Sequence, residues 1–525
     1  MKHARFLALS LLATAAMPAW AEPPKNLAAD VEALRKEIGA TGVSIAIVED
    51  GKTTLSRGWG ERKLGESGKV DSQTIFQTGS TGKAMTAAAL AILVDEGKIA
   101  WDDPVIKHMP WFRMYDPWVT REITIRDLLV HRSGLGLGQG DLMFVPRTNL
   151  TRKQTVEHVA YLKPRTSFRS AYAYDNILYA VAGQLIEEVT GKTWEVFMRD
   201  RVLRPGGMNN ATSDSEDRFR IANRSWPHAR LNGPLRGLGD QQALNERDEL
   251  GRNGAPAGGL ALSADDMAAW LKIQLAHGAL PNGKYLFSEA QAAEMWKPVT
   301  PMPITQLPEQ LKAAQPMQQA YALGWQVQDY RGHRIISHGG GVFGSITRVV
   351  MIPDKNVGFA IMMNNEESGM LLGLTYKLLD HYLEAPDEGW TTKWQDWYKQ
   401  RLAGGVEYLK QAQAAPAKVG PSLDPARYAG RYRDPWYGDI VVANGDKGLT
   451  IDFTSTPRMV GRLKHWQYDS FVTEYDDPAI EPAYVTFALD ADGKVTGVTM
   501  KAVSKIADFS WDYHDLDLKP VEEKK

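Results

Sequence analysis

Strand-like runs occupy two distant parts of the chain and enclose a long stretch that lacks them. The runs are apolar or alternate between apolar and polar residues, as strands do: 43–48, 53–60, 321–328, 333–341, 345–352 and 357–364. Between the first two, Asp50-Gly51 favours a tight hairpin turn. Residues 84–300 favour helices and long loops. We therefore predict an α/β fold: an antiparallel sheet built from both ends of the domain and flanked by helices, with an all-α region inserted.

The region between the strands contains helical patterns and two long loops. The helical patterns are 29–38, 84–96, 177–189 and 265–277. Residues 84–96 are apolar on nearly every side up to Asp95, which indicates a buried helix. The segments 133–149 and 214–259 are rich in Gly, Asn, Arg and Pro. Because long loops in a compact domain are usually functional, we predict that they form the rims of a cleft and determine specificity.

The pattern changes after the first domain. Residues 384–414 favour a helix, and a Pro- and Gly-containing linker follows it. From Tyr428 onward, short alternating runs separated by Asn-Gly and Asp-Gly turns predict a small antiparallel barrel or sandwich. We therefore predict a first domain over residues 22–385, a helical linker over 386–421 and a β-barrel domain over 422–525.

Residues 1–21 resemble a secretory signal peptide. A basic start precedes an apolar run over residues 6–16 and the small-x-small sequence Ala19-Trp20-Ala21. The mature chain is then expected to begin near Glu22, in a bacterial periplasm or outside the cell. A membrane anchor is the alternative, but the apolar run is shorter than the ~20 residues that a span requires. We expect no stable membrane span after cleavage.

Composition excludes several classes of function. The chain has no cysteine, so a disulfide framework, a thiolate metal site and a cysteine nucleophile are excluded. The formal net charge of −2 provides no basic field for nucleic acid or for a membrane surface. The 11 histidines are scattered without an HExxH motif, so no metal site and no cofactor are predicted.

Ser80 and Lys83 are the first candidates for chemistry. They are three residues apart where a polar turn meets the buried helix, so both side chains are expected on one helix face. A serine hydroxyl needs a base, and apolar surroundings lower a lysine pKa enough for the amine to act as one. The alternative is a helix cap at Ser80 and a surface lysine at Lys83, because this spacing is common by chance.

Two further motifs support the chemical interpretation. Tyr174 and Asn176 form the chain's only Tyr-x-Asn, just before a predicted helix. A phenol can relay a proton, and an amide can hold both the lysine and a substrate carbonyl. His338 begins an HGGG sequence at the end of a predicted strand, where glycines let a substrate approach and the NH of Gly341 can join that of Ser80 in an oxyanion hole. Each motif has a simpler alternative, a helix cap or a glycine-rich bulge.

Together the three motifs resemble those of the serine β-lactamase and penicillin-binding-protein superfamily. They stand in the order Ser80-Thr81-Gly82-Lys83, Tyr174-Asp175-Asn176 and His338-Gly339-Gly340. The similarity covers roughly residues 28–385 and is greatest to class C β-lactamases, D-alanyl-D-alanine carboxypeptidases, D-aminopeptidases and related esterases. The residues from about 422 resemble the lipocalin-like β domain appended to some of these hydrolases.

The resemblance implies a role for each motif residue. Ser80 would form an acyl-enzyme, while Lys83 and Tyr174 would manage its proton and Tyr174 would activate the deacylating water. Substrate-binding roles would fall to the remaining motif residues, Asn176, His338, Gly340 and Gly341. Class C β-lactamases usually carry lysine and a hydroxyl residue in the third motif, suited to gripping a carboxylate. The histidine and glycine found here disfavour strong β-lactamase activity.

The sequence therefore predicts an exported serine hydrolase that cleaves amide or ester bonds in a small-molecule, peptide or ester substrate. Peptides of D-amino acids are among the candidates. Two alternatives stay open: hydrolysis of β-lactams, and a non-catalytic peptide- or lipid-binding protein on the same scaffold. An α/β-hydrolase whose oxyanion loop is HGGG is disfavoured, because the chain lacks the GxSxG elbow that this fold needs. Formation of a homo-oligomer is left open.

Overall fold

A computed structural model describes residues 22–247, 250–413 and 417–522. The predicted signal peptide, residues 1–21, lies outside them. The α-helices of the described residues are α1 (Leu27–Ile38), α2 (Lys83–Asp95), α3 (Val105–His108), α4 (Pro117–Glu122), α5 (Arg152–His158), α6 (Ile177–Thr190), α7 (Trp194–Phe197), α8 (Ser215–Arg218), α9 (Ala255–Gly258), α10 (Ala264–Leu275), α11 (Glu289–Met295), α12 (Ser368–Tyr382) and α13 (Trp390–Gln413). No helix among these residues is long and apolar enough to cross a membrane.

The strands form two large sheets and two small ones. In chain order they are β1 (Gly42–Glu49), β2 (Lys52–Gly60), β3 (Phe76–Gln77), β4 (His228–Asn232), β5 (Gly239–Ala243), β6 (Ala261–Leu262), β7 (Thr300–Pro301), β8 (Gln319–Tyr321), β9 (Gln326–Tyr330), β10 (His333–Val342), β11 (Ser345–Ile352), β12 (Val357–Met363), β13 (Gly430–Asp434), β14 (Gly438–Gly445), β15 (Gly448–Phe453), β16 (Val460–Gln467), β17 (Ser470–Tyr475), β18 (Ala483–Leu489), β19 (Val495–Ala502) and β20 (Lys519–Pro520).

The first large sheet joins both ends of the N-terminal domain. Its order is β2-β1-β12-β11-β10-β9-β8-β7, and all neighbours are antiparallel. The predicted fold class is therefore confirmed. The inserted region is mainly helical, although it also holds the short pairs β3–β6 and β4–β5.

Alternating side chains of the central strands bury both faces of this sheet. On β12, Phe359 and Ile361 pack with α1 and α12 on one face, whereas Ala360 and Met362 belong to the core on the other face. That second core contains α2, α6 and α10. Because α2 is buried from Lys83 through Leu93, the sheet and its helices hold the start of this helix rigidly inside the domain.

Two predicted segments of the N-terminal domain differ from the structure. The run 321–328 is split between β8 and β9, because Gly324 has φ +78 and bends the chain toward α2. A Cβ at this position would lie 2.7 Å from Ala84 Cα, so the bend requires glycine. The segment 214–259 is not a simple loop, since it contains α8, the β4–β5 hairpin and α9.

The C-terminal strands form a nearly closed antiparallel barrel. Their order is β19-β18-β17-β16-β15-β14-β13-β20, and a bridge between Val498 and Leu518 brings the two ends together. The predicted C-terminal β-barrel is confirmed. Before it, α13 packs on α12 and carries Leu402 and Leu409 against Leu235 and, from the barrel domain, Ile506. The barrel is therefore packed against the N-terminal domain.

Candidate active site

A tight turn places Ser80 beside the end of strand β10. Residues Gly79–Gly82 form a 3-10 turn that leads directly into α2. Gly79 has φ +51, and a Cβ there would lie 2.6 Å from Gly341 N. Glycine is thus required both by the backbone conformation and by the close approach of β10. Ser80 is left partly exposed at the cleft.

The Lys83 amine is surrounded by oxygen atoms at hydrogen-bond distance. Its Nζ lies 3.0 Å from Ser80 Oγ, 2.6 Å from Asn176 Oδ1 and 2.8 Å from the carbonyl oxygen of Ala257. Asn176 is the residue that precedes α6, and Ala257 is on α9. Two helices and a turn therefore fix the amine against the serine hydroxyl.

Burial makes this lysine a candidate base. Desolvation lowers the pKa of Lys83 from 10.5 to about 7, although the charges of Asp141 and Asp175 oppose the shift. The structure does not fit the simpler alternatives for Ser80 and Lys83, a helix cap and a surface lysine. Lys83 is fully buried, so it is not a surface lysine, and the N-cap of α2 is Gly82, not Ser80.

Tyr174 is half-buried next to the same amine. Lys83 Nζ lies 4.9 Å from the centre of the Tyr174 ring, which also packs on His131 with ring centres 4.2 Å apart. Burial raises the pKa of Tyr174 well above 10, and the nearby Ser80 hydroxyl only partly offsets this. Among the described residues, the Tyr174 hydroxyl has no hydrogen-bond partner of standard geometry. Tyr174 is therefore a neutral phenol at physiological pH.

His338 is on β10, with its ring centre 6.2 Å from that of Tyr174, and it is neutral. Its Nε2 is 2.7 Å from the hydroxyl of Tyr321, and it is 2 % exposed. Burial and the positive charge of Lys83 lower the pKa of His338 well below 6.5. The position that carries lysine in class C β-lactamases therefore carries no positive charge here.

The glycines after His338 bring β10 against the serine turn. A Cβ at Gly340 would lie 2.1 Å from the Thr78 carbonyl oxygen and 3.2 Å from Ser80 N. At Gly341, by contrast, a Cβ would meet no atom within 4 Å, so this residue faces open space in the cleft. Of the predicted site residues, Ser80, Asn176 and Gly341 line the cleft, whereas Lys83 and His338 are buried.

Sequence reasoning missed Asp141 in this cleft. Asp141 is fully buried, and its Oδ2 accepts hydrogen bonds of 2.8 Å from Asn176 Nδ2 and from Ser510 Oγ of the barrel domain. Burial raises the pKa of Asp141 to about 7. The loop that carries it was predicted as a rim, but no local pattern indicates a contact with Ser510.

A cavity of about 240 Å³ opens beside Ser80. Both predicted rims contribute to it, through Phe144 and Arg236 among others, and the barrel domain supplies Glu481, Asp508 and Trp511. Within the described part of the chain, no cluster of three or more His, Cys, Asp or Glu side chains could hold a metal ion.

Both parts of the chain match profiles of known protein families. The Beta-lactamase family profile matches residues 27–383, and a domain of unknown function, DUF3471, matches residues 414–520. An unguisins hydrolase of Aspergillus campestris is 31% identical over 423 residues, covering 76% of this chain and 74% of that protein. Penicillin-binding protein 4 of Amycolatopsis lactamdurans is 29% identical, covering 63% and 83%.

Solved structures share the fold. The octameric penicillin-binding protein homologue from Pyrococcus abyssi has a TM-score of 0.54 at 21% identity, covering 91% of this chain and 98% of that one. The D-amino acid amidase from Ochrobactrum anthropi SV3 has a TM-score of 0.55 at 19% identity, covering 69% and 98%. Since the family profile spans the whole domain that carries Ser80, Lys83 and Asn176, the chain belongs to the beta-lactamase family.

Proposed function

We propose that this protein is an exported serine hydrolase that cleaves amide or ester bonds through an acyl-Ser80 intermediate. The supporting observation is the contact between Ser80 Oγ and the buried amine of Lys83 at 3.0 Å. An amine whose pKa is about 7 is largely neutral in mildly basic solution, so it can take the serine proton as the hydroxyl attacks the carbonyl.

The other groups have roles that their positions support. Backbone NH groups of Ser80 and Gly341 would stabilise the oxyanion, and Asn176 would hold both Lys83 and the substrate carbonyl. Because Tyr174 remains protonated, we assign the base to Lys83 and give Tyr174 the role of relaying a proton to the leaving group. The same amine would then activate the deacylating water.

The charges in the cleft favour some substrates over others. A neutral His338 cannot grip the carboxylate of a β-lactam, so hydrolysis of β-lactams is disfavoured. On the far wall, burial raises the pKa of Glu481 to about 7 and also raises that of Asp508. Arg236 in this wall is already engaged by Glu366 through hydrogen bonds of 2.8 and 2.7 Å. We therefore propose a substrate with an amino group that reaches these two carboxyl groups.

Amide cleavage is compatible with the names of similar proteins, which include a hydrolase of unguisins and a D-amino acid amidase. Export is proposed from the pattern of residues 1–21 alone. Self-association stays a prediction.

The test is hydrolysis by the purified protein and by Ser80→Ala across one panel. The panel contains D-alanyl and L-alanyl p-nitroanilide, N-acetyl-D-alanyl p-nitroanilide, p-nitrophenyl butyrate and nitrocefin. We expect turnover of an anilide or the ester, at least about tenfold lower kcat/KM after N-acetylation, slow nitrocefin cleavage, and a loss of about 10³-fold or more in Ser80→Ala.

Other outcomes would contradict separate parts of the proposal. Activity that survives in Ser80→Ala would exclude the acyl-serine mechanism. Rapid nitrocefin turnover would favour a β-lactamase instead. If the protein cleaves nothing and a fluorophosphonate does not label Ser80, the non-catalytic binding protein becomes the better description.

A further inference from the structure

A segment of the barrel domain, residues 503–513, lies against the loop that carries Asp141. We call it the docking segment. The Asp512 carboxylate accepts hydrogen bonds from the backbone NH groups of Gly140, at 2.6 Å, and Leu142, at 3.1 Å. These two donors flank Asp141 on both sides. The docking segment therefore holds the backbone on either side of a carboxylate that belongs to the other domain.

The same segment also contacts the Asp141 side chain. Ser510 Oγ donates to Asp141 Oδ2 at 2.8 Å, and Asn176 Nδ2 donates to that same oxygen at 2.8 Å. At its other end, the Asn176 amide accepts from Lys83 Nζ at 2.6 Å. A continuous chain of three buried hydrogen bonds thus runs from the barrel domain to the amine beside Ser80.

This chain determines which way the Asn176 amide points. Asp141 Oδ2 accepts from both Ser510 Oγ and Asn176 Nδ2, so the NH₂ end of the amide is on the side of Asp141. The oxygen end then faces Lys83. If Asp141 rotated, the amide would lose this partner, and the contact between Asn176 and the Lys83 amine, which adds to that with the Ala257 carbonyl, would be disturbed.

We propose that Ser510 is a positioning residue of the active site: by fixing Asp141 it orients Asn176, and through Asn176 it places Lys83 against Ser80. The barrel domain is then part of the catalytic apparatus. This inference rests on the proposed function, and it adds to that function a residue supplied by the second domain.

The first experiment compares the full-length protein with Ser510→Ala, using the best substrate of the panel. Rates are referred to the concentration of Ser80 titrated by fluorophosphonate, so that a loss of folded protein does not lower kcat. We expect kcat to fall by about tenfold or more with KM changed less than about threefold, because misplacement of a reacting group lowers the rate of the chemical step. Ser470→Ala, on strand β17 of the barrel, serves as the matched control and should stay within twofold of the wild type.

A double-mutant cycle tests the route through Asp141. Asn at position 141 is close in size to Asp and still offers an oxygen to Asn176. We expect Asp141→Asn to lower kcat as well, and Ser510→Ala to have at least about fivefold less effect in the Asp141→Asn background than in the wild type. Effects that multiply would contradict a route through Asp141, and a kcat of Ser510→Ala within twofold of the wild type would overturn the proposal.

Different results would contradict the proposed function and the positioning role of Ser510. If the wild-type protein is active and Ser80→Ala is not, but Ser510→Ala matches the wild type, only the positioning role is wrong. If the wild type neither turns over substrate nor reacts with the fluorophosphonate, the proposed function fails and the positioning role with it.

Discussion

At the scale of single residues, the proposed mechanism makes the reactivity of Ser80 depend on the protonation of Lys83. Desolvation stabilises the neutral amine, which can accept a proton, relative to the ammonium, which cannot. Asp141 and Asp175 favour the ammonium but do not reverse the effect of burial. The acidic side of the pH dependence should therefore include the titration of Lys83, in the same range in which burial places the pKa of Asp141.

We predict that kcat/KM falls about tenfold per pH unit below pH 7 and levels off above it. The pKa of Lys83 is lowered to about 7, so the base becomes protonated as the pH drops through that value. The measurement is kcat/KM between pH 5.5 and 9 on p-nitrophenyl butyrate, whose lack of an amine removes substrate titration from the profile. A kcat/KM that still rises about tenfold per pH unit up to pH 9 would show that the pKa of the base is not lowered to about 7.

Adjacent glycines of β10 provide a matched pair of substitutions. Gly340→Ala would place a Cβ 2.1 Å from the Thr78 carbonyl oxygen, so the serine turn must move. We expect a cost of about 1–3 kcal/mol in the free energy of unfolding and a large loss of activity. Gly341→Ala meets no atom within 4 Å and should unfold at nearly the wild-type temperature. Equal thermal stability of the two variants would contradict this account of the turn.

At the scale of elements, helix α13 contacts both domains. Two adjacent glycines of this helix distinguish its own helical stability from its packing against the two domains. Gly404 is exposed, and a Cβ there would meet no atom within 4 Å. A Cβ at Gly405, in contrast, would lie 2.7 Å from Ile506 Cδ1 and 2.8 Å from Leu235 Cδ2. The first residue affects only the helix, while the second sits at the contact with the docking segment.

We predict opposite effects of alanine at these two positions. Gly404→Ala should stabilise the protein by about 0.4–1 kcal/mol, because alanine favours the helix and restricts the unfolded chain. Gly405→Ala should gain the same helical preference but lose more through crowding against Ile506 and Leu235. Chemical denaturation of both variants provides the measurement, and a stabilised Gly405→Ala would show that α13 is not tightly packed at this contact.

Local sequence patterns predict individual helices, strands and turns, and they set the limit of what the sequence could predict. The hairpin at Asp50-Gly51 and the buried helix α2 follow from local turn chemistry and apolar runs. The run 465–475 reads as one strand, yet the structure divides it between β16 and β17 at Tyr468, which has φ +48 without an Asn-Gly or Asp-Gly pair to indicate the turn. The motif residues could be found because each motif is local. The link between Asp141 and Ser510 could not, because 369 positions separate them and neither belongs to a motif.

At the scale of the whole molecule, an aromatic stack joins the barrel to the N-terminal domain. Trp511 lies parallel to Phe343, with ring centres 5.0 Å apart and planes 9° apart, and it is 3 % exposed. The residue also lines the cavity beside Ser80. Arg165 adds an ion pair with Asp515 at the same junction.

We predict that Trp511→Ala weakens the junction between the domains. Removing a buried tryptophan costs about 3–5 kcal/mol, so differential scanning calorimetry should show a lower unfolding temperature or separate transitions for the two domains. Tyr468→Ala alters a tyrosine of the same barrel that is 52% exposed and should unfold like the wild type. A Trp511→Ala variant with wild-type unfolding would mean that the stack does not hold the domains together.

The order of the cleft's parts along the chain has a consequence for biosynthesis. Ser80 and Asn176 are made early, Gly341 follows, and Asp508 and Trp511 of the cavity wall come only with the docking segment. Because a ribosome releases the chain from the N-terminus onward, the nascent protein carries an unfinished cleft until the barrel has emerged and folded. The chain therefore gains its complete pocket late in its own synthesis, and a truncated product would expose Ser80 without the part of the cavity wall that the barrel supplies.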